Sequence, residues 1–235
     1  MTVVEHFFDS REAMIDAVYK DVNDNLSEAL QSRDKAALMV SGGSSPAPIY
    51  RRLSDADFDW SRVAVALVDE RWVDRDHDKS NESFIASTLL QNKAQAAQLV
   101  GMKNASATAK AGLEECEKQF QQLPQPFDVT ILGMGSDGHT ASLFPHAEGL
   151  QESLSTSQLV SAIEAKRSEV TGDCTERMTL SLAGILNSRR LLLLISGEEK
   201  LATYRQALAG DEVADMPIRA IFQQKEVDVI VYWAP

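Results

Sequence analysis

Cysteine is almost missing from this sequence, with Cys116 and Cys174 the only two in 235 residues. Cys116 falls in phase with Leu113, Phe120 and Leu123 on an apolar helical stripe. Cys174 sits in a polar stretch with no Cys or His at metal-ligand spacing, which argues against a disulfide framework and a zinc site alike. Long apolar runs are also lacking. VAVALV and LLLLI are far shorter than the roughly 20 residues a membrane-spanning helix needs, and MTVVEHFFDS has neither the basic start nor the apolar centre of an export signal. Positive charge is scarce, 23 Lys and Arg against 35 Asp and Glu for a net charge of −12, which opposes contact with a nucleic-acid backbone or an anionic membrane. An anionic ligand must therefore be met by a local cluster of Arg and Lys. Linkers rich in Pro, Gly or Ser, internal repeats and low-complexity segments are absent, so residues 1–235 read as one domain large enough to bury a sizeable core. A reducing cytoplasm is the expected setting, as a monomer or small homo-oligomer.

What is present is an alternation of short apolar runs with helical patterns. Strands are expected at Ala36 to Val40, Val63 to Val68, Phe127 to Leu132, Leu191 to Ile195 and Val227 to Trp233, with weaker edge candidates at Val3 to Phe8 and Leu159 to Ile163. Unbroken apolar runs suit central strands of a parallel sheet, which are covered on both faces. Ser10 is placed to cap a helix in which Met14, Val18, Val22, Leu26 and Leu30 recur every four residues, and later helices carry Phe84/Ile85/Leu89, Leu113/Cys116/Phe120 and Leu201/Tyr204/Leu208. The pattern predicts an α/β fold with a doubly wound, mostly parallel sheet of Rossmann-like topology.

In such sheets ligands sit where strands run into helices, and four of these junctions are unusual. In MVSGGSSPAPIY a strand enters Ser41-Gly42-Gly43-Ser44-Ser45, with Pro46 suited to the first helical position behind a Ser45 cap. Free N–H groups and hydroxyls there could cradle an anion, although a tight turn alone would also explain the pattern, and it is not a Walker A motif. In ALVDERWVDRDHDKSNES a strand ends at Asp69-Glu70-Arg71, and Ser80-Asn81 are placed to cap the helix of Phe84. The third junction, GMGSDGHTASLFPH, fits G-x-G-x-x-G through Gly133, Gly135 and Gly138. A dinucleotide site, however, wants a full helix after the third glycine, in the first βα unit, with an acid about 20 residues on. Here Pro145 follows Gly138 too soon, the motif is in mid-chain, and Glu164 is a poor ribose acid. Asp137 and His139, two residues apart, can instead sit together, the carboxylate orienting the imidazole for acid–base work; a structural His in a loop is the plain alternative. Ser136 is not a hydrolase nucleophile on pattern, because Met134 holds the first Gly place of G-x-S-x-G. At the fourth junction LLLLISGEEK puts Lys200 in the first turn of a helix, where an unpaired cation opposes the helix dipole and a bound anion would reverse the sign. Arg177 stands ahead of another helical pattern and can reach the same place.

In order and in wording, SGGSSP, DERWV with SNES, GMGSDGHTASLFP and ERMTLSLAGILN…LLLLISGEEK resemble the 6-phosphogluconolactonases, from Ser41 to Lys200 with compatible flanks. The related glucosamine-6-phosphate deaminase/isomerases share the fold and the Asp-Gly-His loop. They carry a Glu in an Asn-Glu-Pro segment where this chain has Leu143-Phe144-Pro145, and typically Tyr where it has Arg71. The resemblance implies a phosphorylated sugar lactone as substrate and its hydrolysis as the reaction, without metal or cofactor. It implies His139 as the general base that activates water, Asp137 as its orienting partner, and Gly42, Gly43, Ser44, Arg71, Arg177 and Lys200 as the phosphate site. Loop N–H groups near Gly42 and Gly43, or Arg71, are candidates for the oxyanion. A deaminase/isomerase and a non-catalytic sugar-phosphate sensor are the alternatives.

Overall fold

The computed structural model describes residues 3–235. The first half of the chain contains β1 (Val3–Phe7), α1 (Arg11–Ser32), β2 (Ala36–Val40), α2 (Ala47–Leu53), β3 (Val63–Leu67), β4 (Asp69–Arg71), α3 (Asn81–Thr88), β5 (Gln98–Val100) and α4 (Ala109–Gln121). After these come β6 (Val129–Gly133), α5 (Leu150–Ser155), β7 (Val160–Glu164), β8 (Glu176–Leu180), α6 (Leu182–Leu186), β9 (Leu191–Ser196), α7 (Glu198–Ala209), α8 (Ile218–Gln223) and β10 (Val229–Ala234). Seven strands form a wholly parallel sheet in the order β1-β10-β9-β6-β2-β3-β5. The unbroken runs AALMV and VAVAL are buried at every position, as strands covered on both faces must be. β1, at the edge, is mostly exposed, and Phe7 stands 49% open.

The chain lays β3 and β5 on one side of β2, then crosses back to β6 on the other side and continues outward to β9 and β10. With right-handed crossovers the connections on the two sides fall on opposite faces, and the strand order reverses between β2 and β6. Loops leaving those two strands part company there and open a crevice at their carboxyl ends. The registers Leu38↔Val129 and Thr130↔Leu191 bring the loops after β2, β6 and β9 to a common edge.

A second, three-stranded antiparallel sheet, β4-β8-β7, was not foreseen. Leu159 to Ile163 belongs there, as β7, rather than at the edge of the main sheet, and Arg177 lies on a strand. β4 continues from β3 through Val68, whose carbonyl accepts from Leu180 N at 2.7 Å. The polypeptide thus leaves the main sheet and passes above the crevice. Helix ends follow local chemistry. Ser10 accepts from Ala13 N, and α1 buries Met14, Val18, Val22, Leu26 and Leu30 as expected. Ser80 caps α3. Ser45 does not cap α2; Pro46 takes that position with no side-chain bond. In α7 Leu208 is 44% exposed, and Ala207 shares the buried face with Leu201 and Tyr204 instead.

Candidate active site

A cleft of about 390 Å³ occupies the crevice. Ser41 to Pro46 form one wall and Gly133 to Ser136 with His139 another. Arg71, Arg177 and Lys200 line it as well, so of the base, its partner and the phosphate-site residues that the resemblance implies, only Asp137 stands behind the lining.

His139 is set by the turn that begins at Gly135. Gly138 N donates to Gly135 O at 3.1 Å and Gly135 N to His139 O at 2.9 Å, closing the turn around Asp137. Gly138 has φ +79°, a left-handed conformation that favours glycine. Gly135 is there for space, because a Cβ on it would overlap Nδ1 and Cε1 of His139 and Oδ1 of Asp137. Asp137 Oδ1 lies 2.6 Å from His139 Nδ1 and accepts from the His139 backbone N–H at 3.1 Å. Burial works most strongly against the Asp137 charge, but its bonds to His139 and the charge of that ring together outweigh it and hold the carboxyl below its ordinary pKa. An ionised Asp137 accepts the Nδ1 proton and leaves Nε2 as the basic nitrogen. Among the described residues no helix follows Gly138 until α5, and the chain makes a tight bridge from Thr140 to Leu143 instead, which removes the dinucleotide reading. The buried ring of Phe144 packs at a tilt of 37° against His139, centroids 4.4 Å apart, and the Arg177 guanidinium lies 5.4 Å over the Phe144 ring.

Cationic groups face this pair. Arg71 and Arg177 are directly opposed in the β4–β8 register, an unfavourable placement for like charges with nothing between them. Arg177, only 3% exposed, donates from Nε to Cys174 O at 2.6 Å and from Nη2 to Thr171 O at 3.1 Å. Burial lowers its pKa, and Arg71 lowers it further, while Asp69 pushes the other way. Arg71 Nη1 is held by Lys79 O and Asn81 Oδ1, but its buried Nε has no partner. Lys200, in the first turn of α7, donates to Met134 O, and burial lowers its pKa against the pull of Asp137 and Glu199. Among the described residues, none of these three cations is in an ion pair. The N–H groups of Gly42, Gly43, Ser44 and Ser45 likewise find no acceptor among the described residues. Gly43 has φ +107°, and a Cβ at Gly42 would overlap Asn81.

The two-residue period of a strand sorts Asp69-Glu70-Arg71. Asp69 and Arg71 line the cleft, whereas Glu70 points away and accepts from the N–H groups of Arg71, Asn81 and Glu82, each at 2.8 Å, at the start of α3. Burial raises the Glu70 pKa despite those bonds. Reading the sequence alone missed Asn81, Asp69 and Phe144 as cleft residues. Asn81 bonds Asp69 and Arg71, and Asp69 accepts from Ser142 Oγ at 2.7 Å. The sequence reading gave Asn81 a capping task with Ser80, but Ser80 alone caps α3, which leaves the Asn81 side chain to bond Asp69 and Arg71.

The model for glucosamine-6-phosphate isomerases/6-phosphogluconolactonase matches residues 9–231. This chain belongs to that family. It is 38% identical to the 6-phosphogluconolactonase of Rhizobium meliloti, with all of both chains covered. It is 36% identical to that of Pseudomonas aeruginosa, over 92% of this chain and 88% of the other. The crystal structure of a 6-phosphogluconolactonase from Shewanella baltica superposes with a TM-score of 0.94 at 42% identity, covering 100% of this chain and 98% of that one. In this member of the family the Asp-Gly-His turn and the paired arginines face one cleft.

Proposed function

We propose that residues 1–235 form one hydrolase domain that converts 6-phospho-D-glucono-1,5-lactone to 6-phospho-D-gluconate. The observation that carries this reading is the pairing of Asp137 with His139 in one cleft with Arg71, Arg177 and Lys200, three cations that form no ion pair among the described residues. A δ-lactone is an activated ester, so one positioned water suffices as nucleophile. In the first step His139 Nε2 takes a proton from water while the water oxygen bonds to C1, and the carbonyl electrons move to its oxygen. In the second step these electrons return, the C1–ring oxygen bond breaks, and His139 gives its proton to the departing C5 oxygen. Asp137 keeps the ring in the tautomer this cycle needs and stabilises the imidazolium between the steps. A general base of this kind contributes about 10²–10⁴ in rate, roughly 3 to 5 kcal/mol of barrier.

The phosphate, remote from C1, fits the loop of Gly42, Gly43 and Ser44 together with Arg71, Arg177 and Lys200. Its binding energy fixes where C1 lies. The buried Phe144 beside His139 supplies an apolar wall and cannot move a proton, which disfavours the deaminase/isomerase alternative. The deciding experiment incubates the protein with freshly prepared 6-phosphogluconolactone and, separately, with glucosamine 6-phosphate, each against a buffer blank because the lactone hydrolyses unaided. Accelerated acid release from the lactone is expected. Ammonia release from the amino sugar, or binding without turnover, would overturn the reading.

A further inference from the structure

A turn built on glycines has little side-chain packing of its own, so something else must keep Asp137 and His139 at 2.6 Å. Phe144 covers one side of the His139 ring. The far side of the turn, at Gly138, faces the segment between α7 and α8. The Met216 side chain fills the space a Gly138 Cβ would take, with its Cβ and Cε each 2.8 Å from that point, and Met216 is 6% exposed. Ile218 N donates to Gly138 O at 2.9 Å. The same segment also grips the exit from the site, as His146 N donates to Ala214 O at 3.2 Å and His146 Nε2 lies 2.8 Å from Asp215 Oδ1.

This segment has little regular structure, and its fixed point is Arg219. The guanidinium, 8% exposed, donates only to main-chain carbonyls: Nε to Ala207 O at 3.2 Å, Nη1 to Glu212 O at 2.8 Å and Nη2 to Gln206 O at 3.3 Å. Two of these carbonyls are at the carboxyl end of α7, where a cation is favoured. A Cβ at Gly210 would overlap Arg219 Nη2, so the glycine makes room for the clamp. Gln223 Nε2 adds a bond to Asp211 O at 2.9 Å. The carbonyls at the end of α7 hold the guanidinium, the Arg219 backbone N–H donates to Met216 O at 2.9 Å, and the Met216 side chain packs on Gly138, so residues 206–219 are tied to the turn that carries the base.

We infer that Met216, clamped through Arg219, is a positioning residue that holds the Asp137–His139 pair in working geometry. The inference rests on His139 being the general base. Misplacing a reacting group by about 1 Å costs about 100-fold, so Met216→Ala should lower kcat by about 10- to 100-fold with KM within about twofold. Met216→Leu, which refills the space, should restore most of the loss. In a His139→Ala background Met216→Ala should change kcat by less than about twofold, because the group through which it acts is gone. Arg219→Met should reproduce the kcat loss; where it fails to fold, the Met216 series decides alone. The proton NMR signal of His139 Nδ1–H, read without substrate, should shift or broaden in Met216→Ala and recover in Met216→Leu. An unmoved signal with unchanged kcat, a KM rise that accounts for the whole defect, or an undiminished effect in the His139→Ala background would each overturn the assignment. A wild-type protein without lactonase activity would sink the proposed reaction, while the NMR comparison would still report whether Met216 holds the pair.

Discussion

Removing the imidazole and removing the group that aims it should have different costs. His139→Ala is expected to lower kcat by about 10²–10⁴ with KM little changed, since the ring acts mainly in the transition state. Asp137→Asn should lose less, because an amide still hydrogen-bonds the ring but cannot stabilise imidazolium by charge. Steady-state kinetics against a buffer blank separates the two, and a His139→Ala enzyme with wild-type kcat refutes the assignment. Gly135→Ala tests the same turn from outside the acid–base groups. Its Cβ would overlap both members of the pair, so kcat should drop while the phosphate wall stays intact. Acid brings a further consequence. The Asp137 carboxyl is held below its ordinary value of 3.8, and a depressed carboxyl stabilises the fold above its unfolded pKa and loses that contribution as pH falls through the folded one. The stability gap between wild type and Asp137→Asn should therefore hold steady down to about pH 3.9 and close below it, as read by denaturant titration.

At the scale of single elements, α3 hangs on one carboxylate. Glu70 receives three backbone N–H groups and the Ser80 hydroxyl, at 3.1 Å, in a place with almost no solvent. Glu70→Gln puts an amide N–H₂ against donors and should cost about 1–3 kcal/mol of stability by thermal or urea unfolding. Because α3 carries Asn81, KM for the phosphorylated substrate should also rise. Unchanged stability would show that the carboxylate does not anchor the helix. α7 offers a different handle. Its first-turn Lys200 has a pKa lowered by burial, and a phosphate dianion beside it would raise that pKa. Binding of 6-phosphogluconate in alkaline buffer should therefore take up protons, measured by calorimetry in buffers of different ionisation enthalpy, and Lys200→Met should abolish the uptake. The elements themselves were unevenly legible. Central strands such as AALMV and LLLLIS declare themselves, since burial on both faces demands an unbroken apolar run. β4 and β8 do not, because DER and ERMTL are polar, short and stabilised by pairing with one another, and β7, readable as a weak strand at Leu159 to Ile163, gave no sign that it pairs with β8 rather than at the edge of the main sheet. Asp137, His139 and Lys200 were readable from their junctions, whereas Asp69 and Phe144 reach the cleft through tertiary contacts that a linear pattern does not carry.

Taken as a whole molecule, the protein has a net charge of −12 yet holds around one cleft three cations that, among the described residues, form no ion pair. An anion bound there is linked to folding. At 100 times its dissociation constant a phosphate-bearing product should stabilise the native state by about 2.7 kcal/mol, seen as a raised Tm. Arg177→Ala and Lys200→Ala should shrink that rise and increase KM, each weakening binding by about 1.5–3 kcal/mol. An identical Tm rise in both variants would place the anion elsewhere. The strand order of the large sheet has a bearing on biosynthesis. β1 has one neighbour, β10, with Val3 beside Val229, and β10 also pairs with β9. On a ribosome β1 emerges before every other strand of the sheet and must wait for residues 229–234 before it can join it. Until then β9 offers a bare hydrogen-bonding edge, a template for pairing with other nascent chains. A chain cut before Val229 should thus leave β1 without a partner and β9 with a bare edge, and collect in the insoluble fraction, whereas a chain that includes β10 closes the sheet once synthesis has passed that strand.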